Sequence, residues 1–399
     1  MTKMNYIFIS PNFPTIYSHF IKALKRHGVN VFGIGDQPFC ELNDELKENL
    51  TEYCHVTDMN RLDWMIDTVQ YIKNKYGEID YIESNNEYWL RNDSKLREWF
   101  NVKNGYRFDE LLVYQSKAKM KQFFNKAGVK TARYILVDSL QKSLDFVSKV
   151  GYPVFAKPDS GVGASSTFKI RNEEELRDFH NQYLGEQYIM EEFLDGFIVS
   201  FDGIVNSKSE VAISFKETFP TPIAEVVATN SDVFYFAETN MPDEYRKMGE
   251  RIVSAFNIKS RCFHIELFQL NSDRPGLAKK GEIVALEANL RSPGGNTPDL
   301  LNLVSKVNYY DAYAQMIAED VANLDNVTNL IAFSINRKNE YNYVLNSWEI
   351  MQKYAANLKQ NGFYPQSFRN AMGDEYFFFV FDKNDKSIPE FIKLVRAKK

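Results

Sequence analysis

Four groups of residues in this chain have the types and spacing that chemistry on a phosphate requires. The first lies in "FHIELF" and "IVALEANLRSPGG", two runs that read as an antiparallel strand pair. Glu266 sits between Ile265 and Leu267. Glu287 and Asn289 are two apart, so a strand sends both to one face. Arg291 shares that face if the strand continues. Two carboxylates, an amide oxygen and a guanidinium on one face suit magnesium, with phosphate completing its shell. A solvent-facing strand with ordinary polar alternation accounts for the same spacing.

The second group is Lys117 and Lys157. Lysine neutralises phosphate as a point charge. Lys117 opens a helix rich in lysine, where most ammonium groups face water. Lys157 ends the apolar run "YPVFAK" and is followed at once by Pro158. The third group is the loop "DSGVGASS", with Ser160, Gly161, Gly163, Ala164 and Ser165. Glycines let a backbone approach an anion closely, and exposed N–H groups with serine hydroxyls can ring a phosphate. Hairpin turns favour the same residues. The fourth is "YIMEEFLDG", holding Glu191, Glu192, Phe193 and Leu194. A strand running into a turn beside a pocket can offer backbone groups to a purine edge, and either glutamate can accept from an adenine amino group. An edge strand with two solvated acids reads the same way.

The elements that must position these groups change character along the chain. Up to residue 112, strands and amphipathic helices alternate: "NYIFIS", "TIYSHFIKALKRHG", "VNVFGIG", "RLDWMIDTVQYIKNKYG", "IDYIES". That alternation predicts a parallel sheet covered by helices. "GIGDQP" lacks the third glycine of a dinucleotide fingerprint and follows the second strand, so it reads as an ordinary turn. No G-x-x-x-x-G-K-[ST] loop occurs. After Glu110 come the basic helix "SKAKMKQFFNKAGV", a strand, a helix, the Lys157 loop, and then paired strands typical of antiparallel sheets.

Length and composition narrow the class. The chain has 399 residues, enough for two or three domains. With 44% hydrophobic and 25% charged residues it has the balance of a soluble globular protein. A net charge of −5 gives no broad attraction to nucleic acid or an anionic membrane, and no apolar run is long enough to span a bilayer. The N-terminus "MTKMNYIFISPNF" reads as a first strand, not a signal segment. Three cysteines without C-x-x-C, and five histidines without H-E-x-x-H, argue against a disulfide framework or a zinc knuckle. A reducing, cytoplasmic compartment is the default expectation.

Basic helix, lysine with small-residue flap, "MEEFL", then Glu…Glu-x-Asn-x-Arg: this order resembles the ATP-grasp superfamily, in its carboxylate–amine ligase branch, whose N-terminal domain is like that of biotin carboxylase and carbamoyl-phosphate synthase. The run E-x-N-x-R-x-x-G-G from Glu287 to Gly295 carries the resemblance best. It implies a Rossmann-like parallel α/β domain at 1–112, a small ATP-grasp lobe with a glycine flap at 113–192, a large lobe with the metal site at 193–321, and an α+β segment at 322–399. It implies that Lys117, Lys157 and the flap hold the triphosphate. Glu191 to Leu194 match the adenine hinge, and Glu266, Glu287 and Asn289 match ligands of two magnesium (or manganese) ions. Arg291 matches the arginine on the transferring phosphoryl group. Glu87, Gly294 and Gly295 fall near the substrate cleft. Where many members carry an acid two residues after the hinge glycine, this chain has Ile198. The implied reaction is ATP-dependent phosphorylation of a carboxylate to an acyl phosphate, which an amine then attacks to form an amide. Activation of bicarbonate as carboxyphosphate and a regulatory nucleotide-binding protein remain alternatives. The partners implied are ATP, a small carboxylate and an amine, with a homodimer compatible.

Overall fold

In the computed structural model, residues 3–161, 167–182 and 185–399 are described. The first sheet contains β1 (Asn5–Ile9), β2 (Asn30–Gly35), β3 (Glu52–His55) and β4 (Tyr81–Glu83), all parallel, in the order β3-β2-β1-β4. Every residue of β1 is buried, as a strand covered on both faces requires. The sequence pattern foresaw three of these strands. It passed over β3, an edge strand reading "EYCH", which is only partly buried and shows no apolar alternation.

A second sheet contains β5 (Tyr134–Leu136), β6 (Val154–Pro158), β7 (Phe168–Ile170) and β8 (Tyr188–Glu192), in the order β5-β8-β6-β7, all antiparallel. The helices Leu140–Val150 and Glu173–Asn181 cover one face of it through Phe146, Val147, Leu176 and Phe179.

The third sheet is larger. It is built from β9 (Gly196–Val205), β10 (Val211–Phe219), β11 (Phe234–Glu238), β12 (Arg261–Leu270), β13 (Ile283–Asn289), β14 (Leu330–Arg337), β15 (Leu358–Phe363) and β16 (Glu375–Asp382). Its order is β13-β12-β9-β10-β11-β14-β16-β15. Residues beyond 322 therefore supply three strands of one continuous sheet with the residues before them. "EYFFFVF" falls in β16 and "SDVFYFAE" contains β11; both are mostly buried, and most of their aromatic side chains pack in the core.

One face of β9 and β12 packs Phe201, Phe263 and Ile265 against the helix Asp243–Ala255. The approach is close at Gly249, where a Cβ would lie 2.3 Å from Phe201 Cδ1. The opposite face divides. Ile204 and Cys262 pack into the core that includes the helix Tyr309–Glu319, whereas Ser200, Asp202, His264 and Glu266 carry polar groups further along the same strands. Among the described residues no helix is long and apolar enough to cross a membrane.

Candidate active site

The metal-type side chains meet through strand register. In β12 and β13, Glu266 lies opposite Glu287 and His264 opposite Asn289. The register shifts between Glu266 and Leu267, which marks a bulge beside the two glutamates. β13 ends at Asn289, so Arg291 is placed by the following turn and not by strand alternation. Its Nε lies 3.5 Å from Glu87 Oε2, and its Nη1 donates to the Ser292 carbonyl at 2.9 Å.

Both glutamates are partly buried, and their charges respond to one another. Burial favours the neutral form of each. At Glu266 this is outweighed by the hydrogen bond and charge of His264 and by Arg291 and Lys157, so its pKa is lowered. At Glu287, burial and the Glu266 charge win over Lys117 and Lys157, so its pKa is raised. The positive charges of Lys117 and Lys157 both act on Glu287.

Lys117 begins the helix Lys117–Lys126, whose N-cap Ser116 accepts from the Lys119 N–H. Asp159 locks that helix start to the end of β6: its carboxylate accepts from Ser116 Oγ at 2.6 Å and from the Ala118 N–H at 2.8 Å. The Lys117 ammonium is mostly buried and donates to the Gly161 carbonyl at 3.0 Å. Gly161 has φ +128, a conformation that favours glycine. Gly163, Ala164 and Ser165 lie outside the described residues.

Lys157 lies next to the end of β6 with its ammonium 2.6 Å from Glu191 Oε2. The other oxygen of Glu191 lies 2.5 Å from Lys121 Nζ. Burial alone would raise the Glu191 pKa, but Lys121 and Lys157 hold it down, to about 2. The Lys157 pKa is raised in return: burial opposes the charge, and Glu191 more than offsets this. Sequence reasoning passed over Lys121. It is one turn along the helix from Lys117, and that i, i+4 spacing is the signal that could have found it. Glu192 points to the other side of β8, where Arg133 Nη2 approaches at 2.5 Å and Arg274 Nε at 2.7 Å. Both hinge carboxylates are thus already engaged by cations. Phe193 lies beneath Lys169, whose Nζ is 4.5 Å from its ring centre, and Leu194 packs on the small cluster of Leu270, Ala278 and Val284.

Glu287 and Asn289 open onto a cavity of about 470 Å³ whose lining also includes Glu87, Arg91, Gln115 and Ser160. Glu87 reaches it from the segment after β4, Ser160 from the end of β6, and Glu287 from β13. Gln115, at the end of the helix Phe108–Gln115, ties that helix to the segment after β4: its Nε2 donates to Glu87 Oε1 at 3.2 Å, and its Oε1 accepts from Arg91 Nε at 2.8 Å. Gly294 and Gly295 follow Arg291, and Gly295 has φ +59. Ile198 is buried on β9 beside Phe268 on β12.

A wider polar cluster lies behind Glu266. His264 Nε2 is 3.1 Å from Glu266 Oε1, and its Nδ1 contacts Asp202. Burial disfavours the imidazolium, yet Asp202 and Glu266 raise its pKa to about 10. None of Asp202, Glu217 and His264 was singled out from sequence. Only the pairing of β9 with both β10 and β12 brings them together.

A parallel first sheet, an antiparallel second sheet and a large antiparallel third sheet carrying the Glu266–Glu287 pair are the arrangement that the resemblance to the ATP-grasp superfamily implied. Residues 114–260 match the ATP-grasp domain family. The proteins this chain is similar to include amino acid ligases and a biotin carboxylase domain. It is 22% identical over 247 residues to the L-arginine-specific L-amino acid ligase of Bacillus subtilis, a match covering 60% of this chain and 57% of that one. Its fold is similar to that of L-amino acid ligase from Bacillus licheniformis, with a TM-score of 0.71 and 15% identity over 100% of this chain and 98% of the other. It is also similar to the biotin carboxylase domain of 2-oxoglutarate carboxylase from Hydrogenobacter thermophilus, solved with MgADP and bicarbonate. There the TM-score is 0.70, with 14% identity over 100% and 91% of the two chains. The chain spans about half the length of the curated relatives it matches.

Proposed function

We propose that the protein is an ADP-forming carbon–nitrogen ligase that activates a small carboxylate with ATP and joins it to an amine, with amino acids as the substrate class. One observation carries this reading: strand register sets Glu266 opposite Glu287, and Glu287 and Asn289 line the same cavity as Gly161, whose carbonyl accepts from the Lys117 ammonium.

The donor set fits magnesium. Two partly buried carboxylates stand opposite each other, and their mutual repulsion, which raises the Glu287 pKa, is what a hard cation between them would relieve. Glu266, Glu287 and Asn289 would hold it. Bound magnesium supplies Lewis-acid stabilisation of charge on phosphate oxygens.

The chain's own residues account for the rest. Phosphoryl transfer depends on in-line positioning and charge neutralisation more than on covalent help from protein. Lys117 and Lys157 grip the triphosphate, and Lys157 must share itself between phosphate and Glu191. Arg291, tethered to Glu87, stabilises charge on the group in transfer. A substrate carboxylate oxygen attacks the γ-phosphorus and ADP leaves. The amine then attacks the acyl carbon, its proton is lost, and phosphate leaves. Water competes with the amine for the acyl phosphate, so residues 160–166 have the task of excluding it.

An ADP-release screen over pairs of amino acids, with mass analysis of products, tests this. Amide product formed in step with ADP supports the reading. ADP release that requires bicarbonate and no amino acid replaces it with a carboxylase.

A further inference from the structure

We propose that Asp202, Glu217 and His264 form a second cation site, for a first-row transition ion such as zinc, distinct from the Glu266, Glu287 and Asn289 set. The three residues come from adjacent strands β9, β10 and β12. Asp202 pairs directly with His264, and Glu217 pairs with Ser200, two residues from Asp202 on the same face. One nitrogen or oxygen from each lies within 4.8 Å of the other two, close enough to share a single ion.

A second observation points to a ligand. Glu217 is fully buried, and its Oε1 has no hydrogen-bond partner. Interior carboxylate oxygens are ordinarily paired, because an unpaired one forfeits its hydration without return. Here three carboxylates, Asp202, Glu217 and Glu266, surround a single imidazole, so Glu217 lacks a counterion of its own.

Donor chemistry selects the ion. An imidazole nitrogen with two carboxylates favours zinc or its neighbours over magnesium, which prefers an all-oxygen shell. Ser200 Oγ, hydrogen-bonded to Asp202 and 3.5 Å from Glu217 Oε2, stands where a fourth donor is needed. The ion takes the place of the proton between His264 Nδ1 and Asp202, and that proton passes to solvent. His264 Nε2 keeps its contact with Glu266 Oε1 at 3.1 Å. The result is a metal–imidazole–carboxylate chain, the arrangement that commonly orients a metal-bound histidine. Here the chain also holds Glu266 toward the cleft.

The test uses the full chain without nucleotide, so its result does not depend on the ligase reading. Protein stripped with chelator is dialysed against zinc in excess magnesium, and bound metal is counted by mass spectrometry. One zinc per chain is expected in the wild type and in Glu287→Gln. Affinity should fall roughly tenfold or more in Glu217→Gln and Asp202→Asn, with circular dichroism confirming that the variants fold. X-ray absorption at the zinc edge of the wild type needs no variant and should show one imidazole in the shell. No retained zinc, an oxygen-only shell, or zinc lost in Glu287→Gln but kept in Glu217→Gln would overturn the proposal.

Discussion

Glu191 and Lys157 lie 2.6 Å apart, and the same carboxylate binds Lys121 at 2.5 Å, so one buried acid neutralises a buried amine and a partly buried one. Replacing it by Glu191→Gln leaves both ammonium groups uncompensated. The expected loss of stability is about 3–5 kcal/mol, read from urea unfolding. The sign of the pH effect follows from the depressed carboxyl pKa. The pair stabilises fully above the ordinary value of 4.5, and the contribution fades as pH falls toward about 2. Wild-type stability should therefore drop more steeply across that interval than that of Glu191→Gln. Parallel curves would show that the pair contributes no net stability.

Arg291 is held by Glu87, which lines the cavity. If it stabilises charge only as the phosphoryl group moves, Arg291→Ala should lower kcat by about 100- to 1000-fold and leave ATP affinity nearly unchanged. Calorimetric titration of ATP alongside steady-state rates separates the two. A variant with near-full turnover removes Arg291 from the catalytic role.

Glu287 is placed as a ligand of a hard cation opposite Glu266. Glu287→Gln keeps the shape and removes the charge. The magnesium concentration for half-maximal activity should rise by roughly 10- to 100-fold or more, with part of the rate restored at high magnesium. An unchanged magnesium curve assigns the metal elsewhere.

Glu83 at the end of β4 sits between Arg261 Nη2 at 2.6 Å and Arg97 Nη1 at 3.5 Å, all three fully or almost fully buried. This acid ties the first sheet to β12. Glu83→Gln should destabilise the protein by about 3–5 kcal/mol, and limited proteolysis should then find new cleavage in residues 80–110. Wild-type resistance to denaturant and protease would show that the two arginines find other partners.

Sequence by itself determined the order of parts. Strand–helix alternation up to residue 112 follows from the two periods of apolar residues, and the E-x-N-x-R run fixes Glu287 and Asn289 to one strand face because alternation has a period of two. Those are local facts, so a local pattern carries them. It could not show that Arg291 lies beyond the strand, because the strand's end is set by pairing with β12. Nor could it show that Lys121, unremarkable in a lysine-rich helix, shares Glu191 with Lys157. Asp202, Glu217 and His264 each look like an isolated polar residue in its own strand. Their meeting was decided only by the tertiary structure, because strand order and register bring together residues far apart in the chain, and burial then turns ordinary side chains into charges that must find a partner.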